Sequence, residues 1–328
     1  MRPLTMTRRG LLGAGAALAL GRSHPARAEG EWPTRMVRLI CPYGAGGASD
    51  ISLRLLATEF EHHLGQQFII ENKPGAGSRI ANDVVARAAP DGYTLLYAAA
   101  PYVTAEALFG KLTYDPIKDL RPVAGTVVAP IFLMISANAP YKTLAELIAY
   151  GKSKPEGLTF ASPGAGSQPH LAAELLFRDA KVTGLNIPFR GDSMAYTELL
   201  AGRVDATLTA ISTALPYIQA GQFRVLGVAA NEPSAIYPQA PTLREQGLPN
   251  VVASGWYGFM APGETPQPIV DRLSREILAD LAAPEMKQKL FAQGLDVQPR
   301  DPAAFGQFIA DETKKWSAVI RDAAIKAE

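Results

Sequence analysis

The sequence predicts an α/β fold in two domains, and three observations carry that prediction. Short apolar runs alternate with segments of helical period, the alternation occurs as two successive series, and 328 residues is long for one layered domain. A strand that must be rejoined by a parallel neighbour needs a crossover, and a helix between two apolar runs supplies it.

In the first series, "MVRLICP" predicts a strand and 49–64 the helix behind it; "QFIIEN" with 78–89 and "YTLLYAAA" with 104–110 repeat the unit. The second series starts after "GTVVAPIFLMISANAP". It runs through a helix at 143–153, "LTFASP", a helix at 168–178, "GLNIPF", a helix at 193–201, "DATLTA", a short helix near 213–220 and "RVLGVAA". One more strand-like run, "ASGWYGFMAP", precedes helices at about 267–282, 284–292 and 302–326, the first opened by Pro266 and Pro268, so the tail reads as helical packing. No repeat recurs at a fixed period, which excludes a solenoid.

Residues 1–28 stand apart from this fold. A basic start, an apolar stretch of 11 residues from Gly10 to Leu20 and the A-x-A site Ala26, Arg27, Ala28 predict a cleaved export signal. The stretch is short of the ~20 residues that cross a bilayer. Arg8 and Arg9 fit a twin-arginine signal, and also the basic n-region of a Sec signal. The segment holds five arginines and no acid, so its removal leaves 27 basic against 31 acidic residues, a net charge of −4. That charge removes the electrostatic footprint of a nucleic-acid binder. The lone Cys41 has no internal disulfide partner and reads as a small buried apolar residue.

Ligands of open α/β sheets bind outside the carboxyl ends of the strands, which directs attention to the strand-to-helix turns. Three are glycine-rich: "YGAGGASD" at 43–50, "PGAGSR" at 74–79 and "SPGAGSQPH" at 162–170. A helix N-terminus leaves about four N–H groups unpaired and carries the positive end of the dipole, so each turn could hold a carboxylate or phosphate. Each could equally be a turn that needs glycine for positive φ. No nucleotide motif is completed, because no G-K-[ST] follows these glycines and "GAGSRI" lacks the third glycine of a dinucleotide fingerprint. Ser49, Asp50 and Ser167 hold N-cap or first-turn positions, and Asp50 either orders its loop or takes a hydroxyl, ammonium or water.

Catalysis finds little purchase. His170 follows the third turn, where it orders the loop more readily than it acts as a base, and "GAGSQ" is not a G-x-S-x-G elbow. No His, Cys, Asp and Glu grouping has metal-ligand spacing. An exported α/β hydrolase or transferase acting in the same cleft is the alternative; nothing in the sequence marks its nucleophile, and loss of turnover in Ser167→Ala would favour it.

Eight stretches match one family in order: "WPTRMVRLICPYGAGGASDISLRLLA", "LGQQFIIENKPGAGSRIANDVVARAAPDGYTLLYA", "YDPIKDLRPVAGT", "LTFASPGAGSQPHLAAELL", "IPFRGDSMAYTELLAGRVDA", "IQAGQFRVLGVAA", "APTLREQGLP" and "WYGFMAPGETPQPIV". The chain resembles the tripartite tricarboxylate transporter substrate-binding proteins, or Bug-type receptors, over essentially all of its mature length. The resemblance implies a periplasmic binding protein of the two-domain, hinged, type II-like kind, each domain a mixed, mainly parallel sheet flanked by helices. Residues 29–128 with 240–328 form one expected domain and 129–239 the other. It further implies a monomer that binds a small organic carboxylate, needs no cofactor or metal, performs no chemistry, and serves a two-subunit membrane permease.

Carried over by position, the resemblance implies a first binding loop of Tyr43, Gly44, Ala45, Gly46 and Gly47 with Asp50 behind it. The facing loop is Gly164, Ala165, Gly166 and Ser167, followed by His170. Phe189, Arg190 and Gly191 of "PFRG" border the cleft, Asp205 of "RVDA" stands near its far side, and the loop from Ala99 to Thr104, with Pro101 and Tyr102, lines a third side. Many relatives read P-F-P-P-G-G or P-F-A-P-G-G where this chain has "PYGAGG". Tyr43 and Tyr102 at the mouth would suit an aromatic acid as well as a dicarboxylate.

Overall fold

The computed structural model describes residues 32–162, 166–189 and 191–325. The expected export segment therefore lies outside the described residues. Arg35–Glu328 form one compact unit.

Three strand-helix units open that unit: β1 (Val37–Cys41) and α1 (Ala48–Leu64), β2 (Phe68–Asn72) and α2 (Arg79–Ala86), β3 (Thr94–Ala99) and α3 (Pro101–Phe109). The long β4 (Leu120–Ser136) and α4 (Leu144–Ser153) lead into a second set. It comprises β5 (Leu158–Ser162), α5 (Gln168–Ala180), β6 (Gly184–Pro188), α6 (Asp192–Leu200), β7 (Ala206–Ala210), α7 (Ile211–Gln219) and β8 (Phe223–Val228). β9 (Ser254–Pro262), α8 (Gln267–Ala282), α9 (Pro284–Phe291), β10 (Asp296–Arg300) and α10 (Pro302–Asp322) complete the described fold.

The strands form one mixed sheet in the order β2-β1-β3-β9-β4-β7-β5-β6, with β8 and β10 also paired to β4. Its outer strands are parallel, β1 with β2 and β3, and β5 with β6 and β7. Its middle, through β9 and β4, is antiparallel.

β4 explains how the two series join. Leu120 to Pro130 pair with β9, and from Ile131 onward the same strand pairs with β7 and β8. The apolar stretch "GTVVAPIFLMIS" is thus one continuous strand shared by both halves of the sheet. Its prolines stand where a ladder can spare an N–H, Pro122 beside a register shift and Pro130 at the change of partner.

Two elements differ from the expectation. α3 begins at Pro101 rather than 104, since Ala100 already has helical φ and ψ and Pro101 occupies the first turn, where a missing N–H costs nothing. The supposedly helical tail contains β10, whose "DVQPR" has no apolar alternation because it pairs through one edge to β4 and stays mostly outside the core.

Behind the sheet, Trp256, Trp316 and Phe305 are buried in a large core, while Phe132, Met134, Tyr196 and Phe223 anchor a second cluster beside β4 and β7. Cys41 is fully buried, its Sγ 3.4 Å from Ser49 Oγ. No helix among the described residues is long and apolar enough to cross a membrane.

Candidate functional site

A cavity of about 460 Å³ lies at the carboxyl ends of β3, β6 and β7. Part of its lining is the antiparallel β4–β9 pair, with Ala129 opposite Gly255 and Trp256 and Tyr257 following along β9, while Ile131 lies where β4 passes to its next partner, opposite Ala210 of β7. Leu108 and Phe109 of α3 form an apolar wall, and Tyr43 and Gly77 reach in from the turns before α1 and α2.

Three helices start at this cavity. Pro101 of α3, Gln168 of α5 and Asp192 of α6, each the first residue of its helix, all line it. The geometry follows from the strand-to-helix turns, which leave the sheet at its carboxyl edge and bring the positive helix ends together.

The turn before α5 is held on both sides. Ser167 is the N-cap, its Oγ accepting the His170 N–H at 3.4 Å, and the Gly166 N–H donates to His170 Nδ1 at 2.9 Å. Pro169 has no N–H and that of His170 goes to Ser167, so of the first three residues of α5 it is Gln168, a cavity-lining residue, whose backbone donor makes no hydrogen bond among the described residues. With Nδ1 occupied by Gly166, His170 is an orderer of the turn and not a base poised over Ser167.

Gly166 has φ +69°, and a Cβ there would stand 2.6 Å from Leu108 Cδ1. Glycine is required both by the backbone and by the close approach of α3.

Several polar groups at the cavity were not apparent from the sequence. Gln168 is 6% exposed, and among the described residues neither its Oε1 nor its Nε2 has a hydrogen-bond partner. Asp192 accepts from Thr209 Oγ1 at 2.9 Å and Thr213 Oγ1 at 3.3 Å. Burial pushes its carboxyl above the usual carboxylate range despite those two hydroxyls, and among the described residues no cation pairs with it. Burial, aided by the neighbouring Tyr43 and Tyr97, holds the Tyr257 phenol well above its ordinary range, so it is a neutral donor. A signal for Asp192 existed, since it directly follows the "PFRG" segment and opens a helix; Tyr257 lies mid-strand and gave none.

Of the residues nominated from sequence, the structure brings Tyr43, Pro101, Thr104, Gly166 and Ser167 to the cavity. Gly44, Ala45, Gly46 and Gly47 are exposed beside it rather than lining it. Asp50 turns back into its own loop: it accepts from the Gly46 N–H at 3.0 Å, from Arg54 at 2.8 and 3.0 Å and from Asn72 Nδ2 at 3.0 Å. Burial raises its pKa, but these hydrogen bonds outweigh burial and hold the carboxyl below its usual range. Tyr102 is buried and donates to the Pro116 carbonyl, away from the cavity. Phe189 packs with the Phe132 cluster, and Gly191 is the N-cap of α6 at φ +102°.

Asp205 is a correction to the expected position near the far side of the cleft. It precedes β7, whose opposite end, Thr209 and Ala210, meets the cavity, so about 16 Å of strand separates them. Its carboxylate takes the Thr159 N–H and hydroxyl, both at 2.8 Å, and Lys154 at 3.2 Å, which locks β5 to β7. Gly164, Ala165 and Arg190 lie outside the described residues.

Residues 52–325 match the model of the tripartite tricarboxylate transporter family receptor. The chain belongs to that family. This receptor is similar to the periplasmic binding protein BugD, with 29% identity, a TM-score of 0.78 and coverage of 90% of this chain and 100% of that one. The R. palustris protein Rpa4515, solved with adipate, shares 29% identity at a TM-score of 0.82 over 91% of this chain and 100% of its own. MatC from Rhodopseudomonas palustris, solved with bound malate, shares 35% identity at a TM-score of 0.76 over 88% and 100%. The receptor is thus a solute-binding protein of a periplasmic family. Among its described residues no group of three His, Cys, Asp or Glu side chains could hold a metal ion.

Proposed function

We propose that this receptor captures a small organic carboxylate in the cavity beside the β4–β9 pair and delivers it unchanged to a two-subunit membrane permease. One observation carries the reading: α3, α5 and α6 all open on a single, largely apolar cavity. Convergent helix N-termini supply N–H donors and positive dipole ends, the arrangement that favours an anion without a salt bridge. The adipate of Rpa4515 and the malate of MatC support the ligand class.

In this reading the third glycine turn and the Gln168 N–H form one half of the cradle. The first glycine turn contributes through Tyr43 rather than through Gly46, whose N–H is committed to Asp50. The receptor acts as an exported monomer of two lobes, residues 29–128 with 240–328 and residues 129–239. The lobes flex where β4 and β9 pair near Pro130 and Ser254.

The test is a thermal-shift screen of mono-, di- and tricarboxylic acids and aromatic acids on the purified mature protein. A ligand at 100 times its Kd stabilises by about 2.7 kcal/mol, and a clear rise in Tm with at least one acid is expected. A flat response across the whole acid panel overturns the reading.

A further inference from the structure

We propose that Asp192 selects the ligand, and that this receptor takes an acid that also carries a protonated amine on an apolar skeleton. The inference rests on the carboxylate-receptor reading and narrows it.

The charge pattern of the cavity is uneven. At α5 stand groups suited to an anion, namely the helix N-terminus, the open Gln168 N–H and the unpartnered Gln168 carboxamide, whose Nε2 can donate to a carboxylate. At α6 stands a carboxylate. Thr209 donates to Asp192 Oδ1 at 2.9 Å and orients the carboxylate, while Thr213 Oγ1 stands 3.3 Å from Oδ2 and divides its one proton between that oxygen and the Ala210 carbonyl at 3.2 Å, which leaves lone pairs on both carboxylate oxygens. No described cation neutralises it.

A dicarboxylate such as malate or adipate would bring a second negative end into the same desolvated cavity, where like charges repel strongly. A protonated amine would instead complete the site, pairing with Asp192 while its carboxylate meets α5. A charge-assisted contact of this kind is about twice as strong as a neutral hydrogen bond. Leu108, Phe109 and Ile131 give the cavity apolar surface, and the polar groups beside them, the Thr104 hydroxyl, the phenols of Tyr43 and Tyr257 and the Trp256 indole N–H, are all uncharged, so the connecting skeleton is uncharged and largely hydrocarbon or aromatic.

Isothermal titration of the mature protein decides the matter with paired probes: phenylalanine against 3-phenylpropanoate, leucine against 4-methylpentanoate, with malate and adipate alongside. At least one amino acid is expected to bind tenfold or more tightly than its deaminated partner and than either dicarboxylate. Asp192→Asn is expected to erase that preference while the deaminated acid binds as well or better. Equal affinity within both pairs, preferred binding of a dicarboxylate, or a preference that survives Asp192→Asn overturns the proposal and leaves the carboxylate reading standing. Silence of every acid overturns both. Should Asp192→Asn not fold, the paired comparison in the wild type decides alone.

Discussion

Leu108 Cδ1 lies 2.6 Å from the point where a Cβ on Gly166 would be, so α3 packs into the turn before α5 through a gap the width of a missing methyl group. The contact joins an element of the first strand-helix series to one of the second, and it forms part of the cavity wall. Gly166→Ala adds that methyl at φ +69°. A loss of roughly 1–3 kcal/mol is expected from overpacking and backbone strain together, read as a lower urea midpoint with an unchanged m-value. Ligand affinity should fall with it, because both Leu108 and Gly166 line the cavity.

Asp50 gives the receptor an acid-sensitive loop. Its folded pKa is depressed, so its stabilising contribution is complete above the unfolded value of ~3.9 and is lost as pH falls from there through the folded value. Arg54 is half-exposed and screened, which leaves the Gly46 N–H and the Asn72 amide as the main partners. Asp50→Ala should cost about 2 kcal/mol at neutral pH. The gap between wild type and variant should narrow steadily in melts taken at successively lower pH below the unfolded value of ~3.9.

Asp192 has the opposite sign. Its folded pKa is raised, so the empty protein loses stability as pH climbs from the unfolded value through the folded one. Asp192→Asn should therefore stabilise the ligand-free receptor near neutral pH by on the order of 1 kcal/mol, read as a higher Tm, and flatten its pH profile through the acid range. An unchanged or lower Tm would mean the buried charge is better compensated than the two threonines suggest.

Asp205→Ala separates structure from binding. The variant loses the tie between Lys154, Thr159 and β7, with an expected cost of roughly 3 kcal/mol by chemical denaturation. Because the cavity is at the other end of β7, the Kd of the folded fraction should stay within a factor of two, and a tenfold loss would contradict the assignment.

Much of the fold was legible because its periods are strong. The apolar runs of β1, β3 and β5 and the helical pattern of α1, α5 and α8 match the elements to within a residue or two. β4 was not legible as a single strand, since its two halves take different partners and its prolines read as breaks. β10 was hidden by its polar, edge-facing sequence. At the site, glycine turns pointed to Gly166 and Ser167 and left open whether Asp50 orders its loop or takes a ligand group, which its contacts with Gly46, Arg54 and Asn72 decide for the loop. Tyr257 and Thr209 become neighbours of the cavity only when β9 and β7 are laid on either side of β4, a tertiary fact with no local signature. Gln168 carried no signal of its own, because the burial of its carboxamide without a described partner is set by the fold and not by its neighbours in sequence.

The described cavity wall ends at Tyr257, and α8, α9, β10 and α10 contribute nothing to it. What the receptor recognises and how its last helices present themselves are therefore written in separate stretches of the gene. Exchanging the segment after Pro262 between relatives should yield hybrids that keep the parent's choice of solute, so the last fifth of the chain can drift without altering what the cavity selects.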